Sequence, residues 1–195
     1  MIYSNPQLNL EIYPLDMTRW EDFESLLEAR GGCGGCWCMS WRLKKSDFYK
    51  FRGDGNKLAM KALVDQNESV GLLAYVDGKP VGWCAIAPRG AYPKLENSKV
   101  WKRIDDKQVW SITCLFIAKS FRRKGISFEL VKGAINYCKA SHISIIEAYP
   151  IVPYGDKIPD AFAWTGFPVI FEKAGFVVAE RRSPSKPMMR YYINE

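Results

Sequence analysis

A chain of 195 residues is long enough for one well-buried domain and short for two of ordinary size. Its 48% hydrophobic and 25% charged residues are those of a globular protein, which excludes a disordered or fibrous chain. The 28 basic residues against 21 acidic ones leave a net charge of +7, which favours anionic ligands. That charge is spread along the chain without a DNA- or RNA-binding motif, so no nucleic-acid partner is expected.

The opening residues, MIYSNPQLNLEIYP, have no basic start and no long apolar core, and no later apolar run approaches a bilayer's width. The expectation is a cytoplasmic protein without a membrane partner. Its six cysteines are then expected as reduced thiols rather than a disulfide framework.

Leu8, Leu10 and Ile12 alternate with polar neighbours, predicting a first strand. A helix is predicted over 16–31. Thr18 and Glu21 form its capping box, Trp20, Phe23 and Leu27 its apolar stripe, and Gly31 its stop. Next comes GGCGGCWCMSWR, residues 31–42, a loop by its glycines. Cys33, Cys36 and Cys38 invite a zinc reading, but only three thiols are local and the single histidine, His142, is distant. A redox Cys-x-x-Cys lacks its βαβ context. These cysteines are expected to act as small hydrophobes in a packed loop, and no metal is expected.

Asn56–Leu63 predicts a short helix after an Asp54-Gly55 turn, with 46–66 otherwise charged and irregular. Leu72–Val76 and Pro80–Ala87 around Asp77-Gly78 predict a β-hairpin. Residues 89–107 are expected as an exposed excursion, with a lid as the alternative. Val109–Ile117 is apolar, rich in β-branched residues and short, and so reads as a buried strand. The basic turn Arg122-Arg123-Lys124-Gly125 follows, and then Ile126, Leu130, Ala134 and Cys138 recur at helical spacing. A strand feeding a glycine loop at a helix N-terminus gathers unbonded N–H groups at the positive end of a dipole, a setting for a phosphate-bearing anion. Neither G-x-x-x-x-G-K-[ST] nor G-x-G-x-x-G is present. A strand over 143–148, a helix over 165–174 and a strand pair over 176–180 and 188–193 complete the chain. The order β-α-α-β-β-β-α-β-α-β-β describes a single α+β domain over 1–195, with a mixed central sheet flanked by helices.

Arg122-x-x-Gly125-x-Ser127, directly after Leu115, Phe116 and Ile117, resembles the acetyl-CoA-binding motif of the GNAT acyltransferase superfamily, Arg/Gln-x-x-Gly-x-Gly/Ala. Ser127 is a small departure from it. Phe171-Glu172-Lys173-Ala174-Gly175-Phe176 resembles the family's Tyr-Glu-Lys-x-Gly-Phe segment. The likeness extends from about Val109 to Ile193 and is topological before that.

It implies a GNAT-like fold and direct acetyl transfer from acetyl-CoA to an amine on a small molecule or peptide. Leu115, Phe116 and Ile117 would lie along the pantetheine arm. Arg122, Arg123, Lys124, Gly125, Ile126 and Ser127 would hold the pyrophosphate. In such folds the segment after the first helix lines the acceptor pocket, so Trp37, Cys38 and Trp41 are candidate substrate contacts. Core packing of Trp37 and Trp41 is the equal alternative. No catalytic residue is assigned. Phe171 stands where the family has its proton-donating Tyr, and Ser111 where some members place a Glu. Glu147, Tyr149 and Tyr154, near the end of the next strand, are the remaining candidates. A CoA-binding module without turnover and a cysteine-rich metal protein are the competing classes. Oligomeric state is open, a homodimer included.

Overall fold

The computed structural model describes residues 1–28, 30–153 and 163–193. One eight-stranded sheet runs through the molecule, ordered β1-β2-β3-β4-β5-β6-β8-β7. The strands are β1 (Tyr3–Asn5), β2 (Leu10–Pro14), β3 (Leu72–Val76), β4 (Lys79–Pro88), β5 (Trp110–Ile117), β6 (Ile145–Ala148), β7 (Val177–Glu180) and β8 (Met188–Tyr192). Only β5 and β6 run parallel, so the sheet is mixed, as the α+β reading requires. Helix α5 (Ile126–Ala140) supplies the crossover between them.

The sheet has an apolar layer on each face. On one, Ile126, Leu130, Ala134 and Cys138 of α5 meet Leu10, Ile12, Leu72 and Ile112, with Phe171 of α6 (Pro168–Lys173) alongside. On the other, α1 (Trp20–Leu27) and α3 (Asp54–Asp65) bury Trp20, Phe23, Met60 and Val64 against Leu73 and Trp83. A smaller cluster joins Trp41, Tyr92, Leu95, Tyr149 and Met188 at one end.

Several elements depart from the sequence expectation. Helix α1 begins only at Trp20, after a 3-10 turn over Met17–Arg19. The cap there is Asp16, whose Oδ1 accepts from the Thr18 amide at 3.0 Å and from its hydroxyl at 2.6 Å, so Thr18 sits inside the turn rather than at the N-cap position a capping box needs. Asp54 and Gly55 lie inside α3, and α2 (Lys45–Lys50) precedes it. The excursion over 89–107 is largely exposed, as expected, but it is pinned to the core: Arg89, Tyr92 and Leu95 are buried, and α4 (Pro93–Glu96) forms within it.

Strand β5 is where the sheet divides. It pairs with β4 along its whole length, except that Ala85 faces Cys114 while Ile86 faces Ile112, which leaves Thr113 as an extra residue. Its pairing with β6 stops after Trp110, Ser111 and Ile112. Past Ile112 the outer edge of β5 is therefore open to whatever lies beside it.

Candidate active site

A groove of about 470 Å³ follows that open edge. Its walls include Leu115, Phe116 and Ile117 of β5, Arg122, Arg123 and Ser127 from the next loop, and Trp164 and Ile170 opposite. Ala118 donates its N–H to Val81 across β4, so by alternation Leu115 and Ile117 turn their backbone groups toward the groove. Two of those groups are already engaged. The Leu115 N–H donates to the Trp164 carbonyl at 2.7 Å, and the Ile117 carbonyl accepts from Arg122 Nε at 3.1 Å. What remains along the edge is the Leu115 carbonyl and the Ile117 N–H.

At the groove's end the chain curls through Arg123 (φ 62°) and Gly125 (φ 83°) into α5. The first helical bonds return from Phe128 and Glu129 to the Gly125 carbonyl. Among the described residues, no protein acceptor takes the amides of residues 123–127. A Cβ built on Gly125 meets no atom within 4 Å, so the backbone there faces open space. Arg122, Arg123 and Lys124 are all exposed around it. Unbonded N–H groups at the N-terminus of a 15-residue helix, ringed by cations and uncovered by side chain, form an open cradle with the chemistry to hold an anion.

The other residues named from sequence separate into groups. Trp37 is core: 3% exposed, it stacks on Trp20 at 6.5 Å and lies so close to Gly31 that a Cβ there would sit 2.2 Å from its Nε1. Cys38 lines a second cavity of about 200 Å³ with Cys33, Cys36, Cys114 and Trp164. Its sulfur accepts from Trp83 Nε1 at 3.0 Å. The Cys114 thiol and that indole together hold the Cys38 thiol below its ordinary value, whereas burial pushes Cys36 up to about 12. Among the described residues no group of three or more metal-ligating side chains converges. Trp41 lines a third cavity, of about 330 Å³, with Trp101, Trp164, Lys94 and Lys186.

Glu147 and Tyr149 are taken up in a buried network. Arg89 Nη1 donates to Glu147 Oε2 at 2.7 Å and to the Tyr149 hydroxyl at 2.8 Å, and Tyr149 donates to Glu147 at 2.6 Å. Arg190 Nε donates to the other Glu147 oxygen at 2.9 Å. Burial first, and then Glu147, push the Tyr149 hydroxyl well above its usual value, so it is a poor proton donor. Ser111 shares that hydroxyl at 2.8 Å. Both residues are about 1% exposed or less, and their polar atoms are spent holding strands together. Phe171 is fully buried against Phe176. Tyr154 lies outside the described residues. Sequence reasoning does not reach Trp101, Trp164 or the two lysines. The one local signal for them is a bulky indole standing in a polar or glycine-containing stretch.

The family model described as Acetyltransferase (GNAT) family matches residues 37–155, more than half of the chain. No curated protein matches the sequence. Among solved structures, the PaiA N-acetyltransferase of Thermoplasma acidophilum in complex with coenzyme A is 17% identical, with a TM-score of 0.52 over 94% of this chain and 99% of that one. A GNAT-family acetyltransferase of Streptococcus agalactiae is 12% identical with a TM-score of 0.56, covering 95% and 96%. The ribosomal-protein-S18-alanine N-acetyltransferase of Escherichia coli is 11% identical with a TM-score of 0.51, covering 95% of both. At these identities the likeness concerns the fold. No helix among the described residues is long and apolar enough to cross a membrane.

Proposed function

Because this chain belongs to the GNAT acetyltransferase family, we propose that it moves an acetyl group from acetyl-CoA to an amine by direct transfer. The observation carrying this reading is the set of unbonded amides at residues 123–127, facing open space over Gly125 at the end of the β5 groove. The pyrophosphate of CoA fits that cradle. The pantetheine arm, itself an amide chain, fits beside the Leu115 carbonyl and the Ile117 N–H as an added strand would. Arg123 and Lys124 raise the local potential, and salt weakens their share.

In the reaction the acceptor nitrogen attacks the thioester carbonyl, the C–S bond breaks, the thiolate leaves with the electron pair, and nitrogen loses a proton. Phe171 cannot protonate the thiolate, and Tyr149 is sealed behind Arg89 and Glu147. Among the described residues no other candidate acid remains, so the thiolate departs as the anion; the amine reacts as its free base and the proton shed by the acetylated nitrogen passes to water.

Gly125→Glu places a carboxylate where the diphosphate belongs, adding a side chain to a left-handed backbone. The expected outcome is loss of CoA binding by at least a hundredfold in calorimetric titration, with a loss of only about 1–2 kcal/mol of stability in urea, so that the variant stays folded. Affinity equal to the parent would remove the assigned site. A CoA-binding module without turnover is favoured by Phe171 alone. Release of free thiol from acetyl-CoA in the presence of an amine panel, above the hydrolysis background, rules that module out.

A further inference from the structure

The 330 Å³ cavity adjoins the β5 groove at Trp164, which lines both. Three indoles wall it. Trp41 packs against Trp101 at 5.3 Å and 57°, and against Trp164 at 5.6 Å and 49°. Trp41 is 7% exposed, yet its ring N–H has no acceptor, and neither has the buried N–H of Trp101. A buried donor without a partner is costly, and nearly all such groups in folded proteins are satisfied. An indole N–H can only donate, so what these two lack is an acceptor.

Lys94 and Lys186 line the cavity, and no carboxylate does so among the described residues. Among the described residues neither lysine has an ion-pair partner: Lys186 Nζ sits 5.7 Å from the Trp101 ring and Lys94 Nζ 5.2 Å from that of Phe48. Burial holds the Lys94 ammonium below its usual value, a loss that an arriving anion offsets. Flat aromatic walls and two cations do not suit a polyamine, which would bring more positive charge, and the two indole N–H groups are covered by protein rather than open to the occupant. The walls and the lysines suit a ligand with a planar anionic end.

We propose that this cavity is the acceptor subsite and that it takes an amine which also carries a carboxylate, a free amino acid or a small relative of one. The carboxylate meets the two lysines, while the apolar part lies between the indole faces. The same lysines lower the pKa of the incoming ammonium, so more of it is present as the free base that attacks. This rests on the acetyl-transfer reading for its role in catalysis, but not for the binding chemistry itself.

The test compares ligands that differ only in the carboxylate, by calorimetric titration of the whole protein with and without CoA: L-phenylalanine against phenethylamine, and β-alanine against ethylamine. The expected result is at least tenfold tighter binding of the carboxylate member in one pair or both. Lys94→Gln with Lys186→Gln removes that preference and leaves phenethylamine within about twofold. Equal affinities, tighter binding of the plain amines, binding of neither member of either pair, or O-phosphoethanolamine binding more tightly than β-alanine each overturn the assignment. CoA is titrated in parallel. Failure of CoA to bind, with the carboxylate preference intact, sinks the acetyl-transfer reading and leaves the cavity's assignment standing.

Discussion

Glu147 shows how much one side chain can hold. It is about 1% exposed and receives Arg89 at 2.7 Å and Arg190 at 2.8 Å, from opposite sides of the β5/β6 pair. A buried ion cluster adds little compared with apolar packing, but removing one member leaves the others charged and uncompensated. Glu147→Gln is therefore expected to cost roughly 3–5 kcal/mol. That is a large part of the total stability of a domain this size, and urea unfolding followed by tryptophan fluorescence measures it. Nothing in the sequence revealed the cluster. Its members are separated by 43 to 85 positions, and a charged residue beside an apolar run carries no local mark of its partner. Phe171 was the opposite case: the absence of a phenolic hydroxyl is visible in the residue itself.

Among the elements, α5 was the most legible, because a stripe at helical spacing depends only on neighbours in sequence. Its stripe residues Ile126, Leu130, Ala134 and Cys138 are all buried. Leu130→Ala at this fully buried site is expected to lose about 2–5 kcal/mol. Leu58→Ala on α3, where the side chain is 69% exposed, is expected to stay within about 0.5 kcal/mol of the parent. The same denaturation experiment compares the two. The β3–β4 hairpin was equally plain from its Asp77-Gly78 turn, where both residues adopt positive φ. Short elements were not: β1 has three residues and α2 has six, too few for a period to declare itself. The 89–107 segment hid its anchors for a different reason. Its composition is polar, but Arg89 is drawn inward by Glu147 and carries Tyr92 and Leu95 with it.

For the molecule as a whole, the fold class followed from element order, whereas the cavity proposed for the acceptor did not. It is assembled from Trp41, Trp101, Trp164 and Lys186, which come from four separate stretches of chain. Global stability is expected to carry a mark of the long-range pairing as well. The hydrogen bond from Arg190 holds Asp105 at about 2, below its ordinary 3.8. A carboxylate whose pKa is depressed on folding adds stability above the unfolded value, and that stability disappears as pH falls toward the folded one. The contribution is thus complete above about pH 4 and lost between about pH 4 and 2. Asp105→Asn should flatten the urea midpoint across that window and lower it above pH 4. A slope identical to the parent's would show that the pair is too well solvated to matter.

The three residue pairs that join β5 to β6 have a mechanical consequence. Two half-sheets stitched by so short a seam behave like the leaves of a book, with the Arg89–Glu147–Arg190 rivet at the spine. How far the leaves gape fixes what can slide between them. Loosening the rivet thus alters the width of the mouth as well as the strength of the binding.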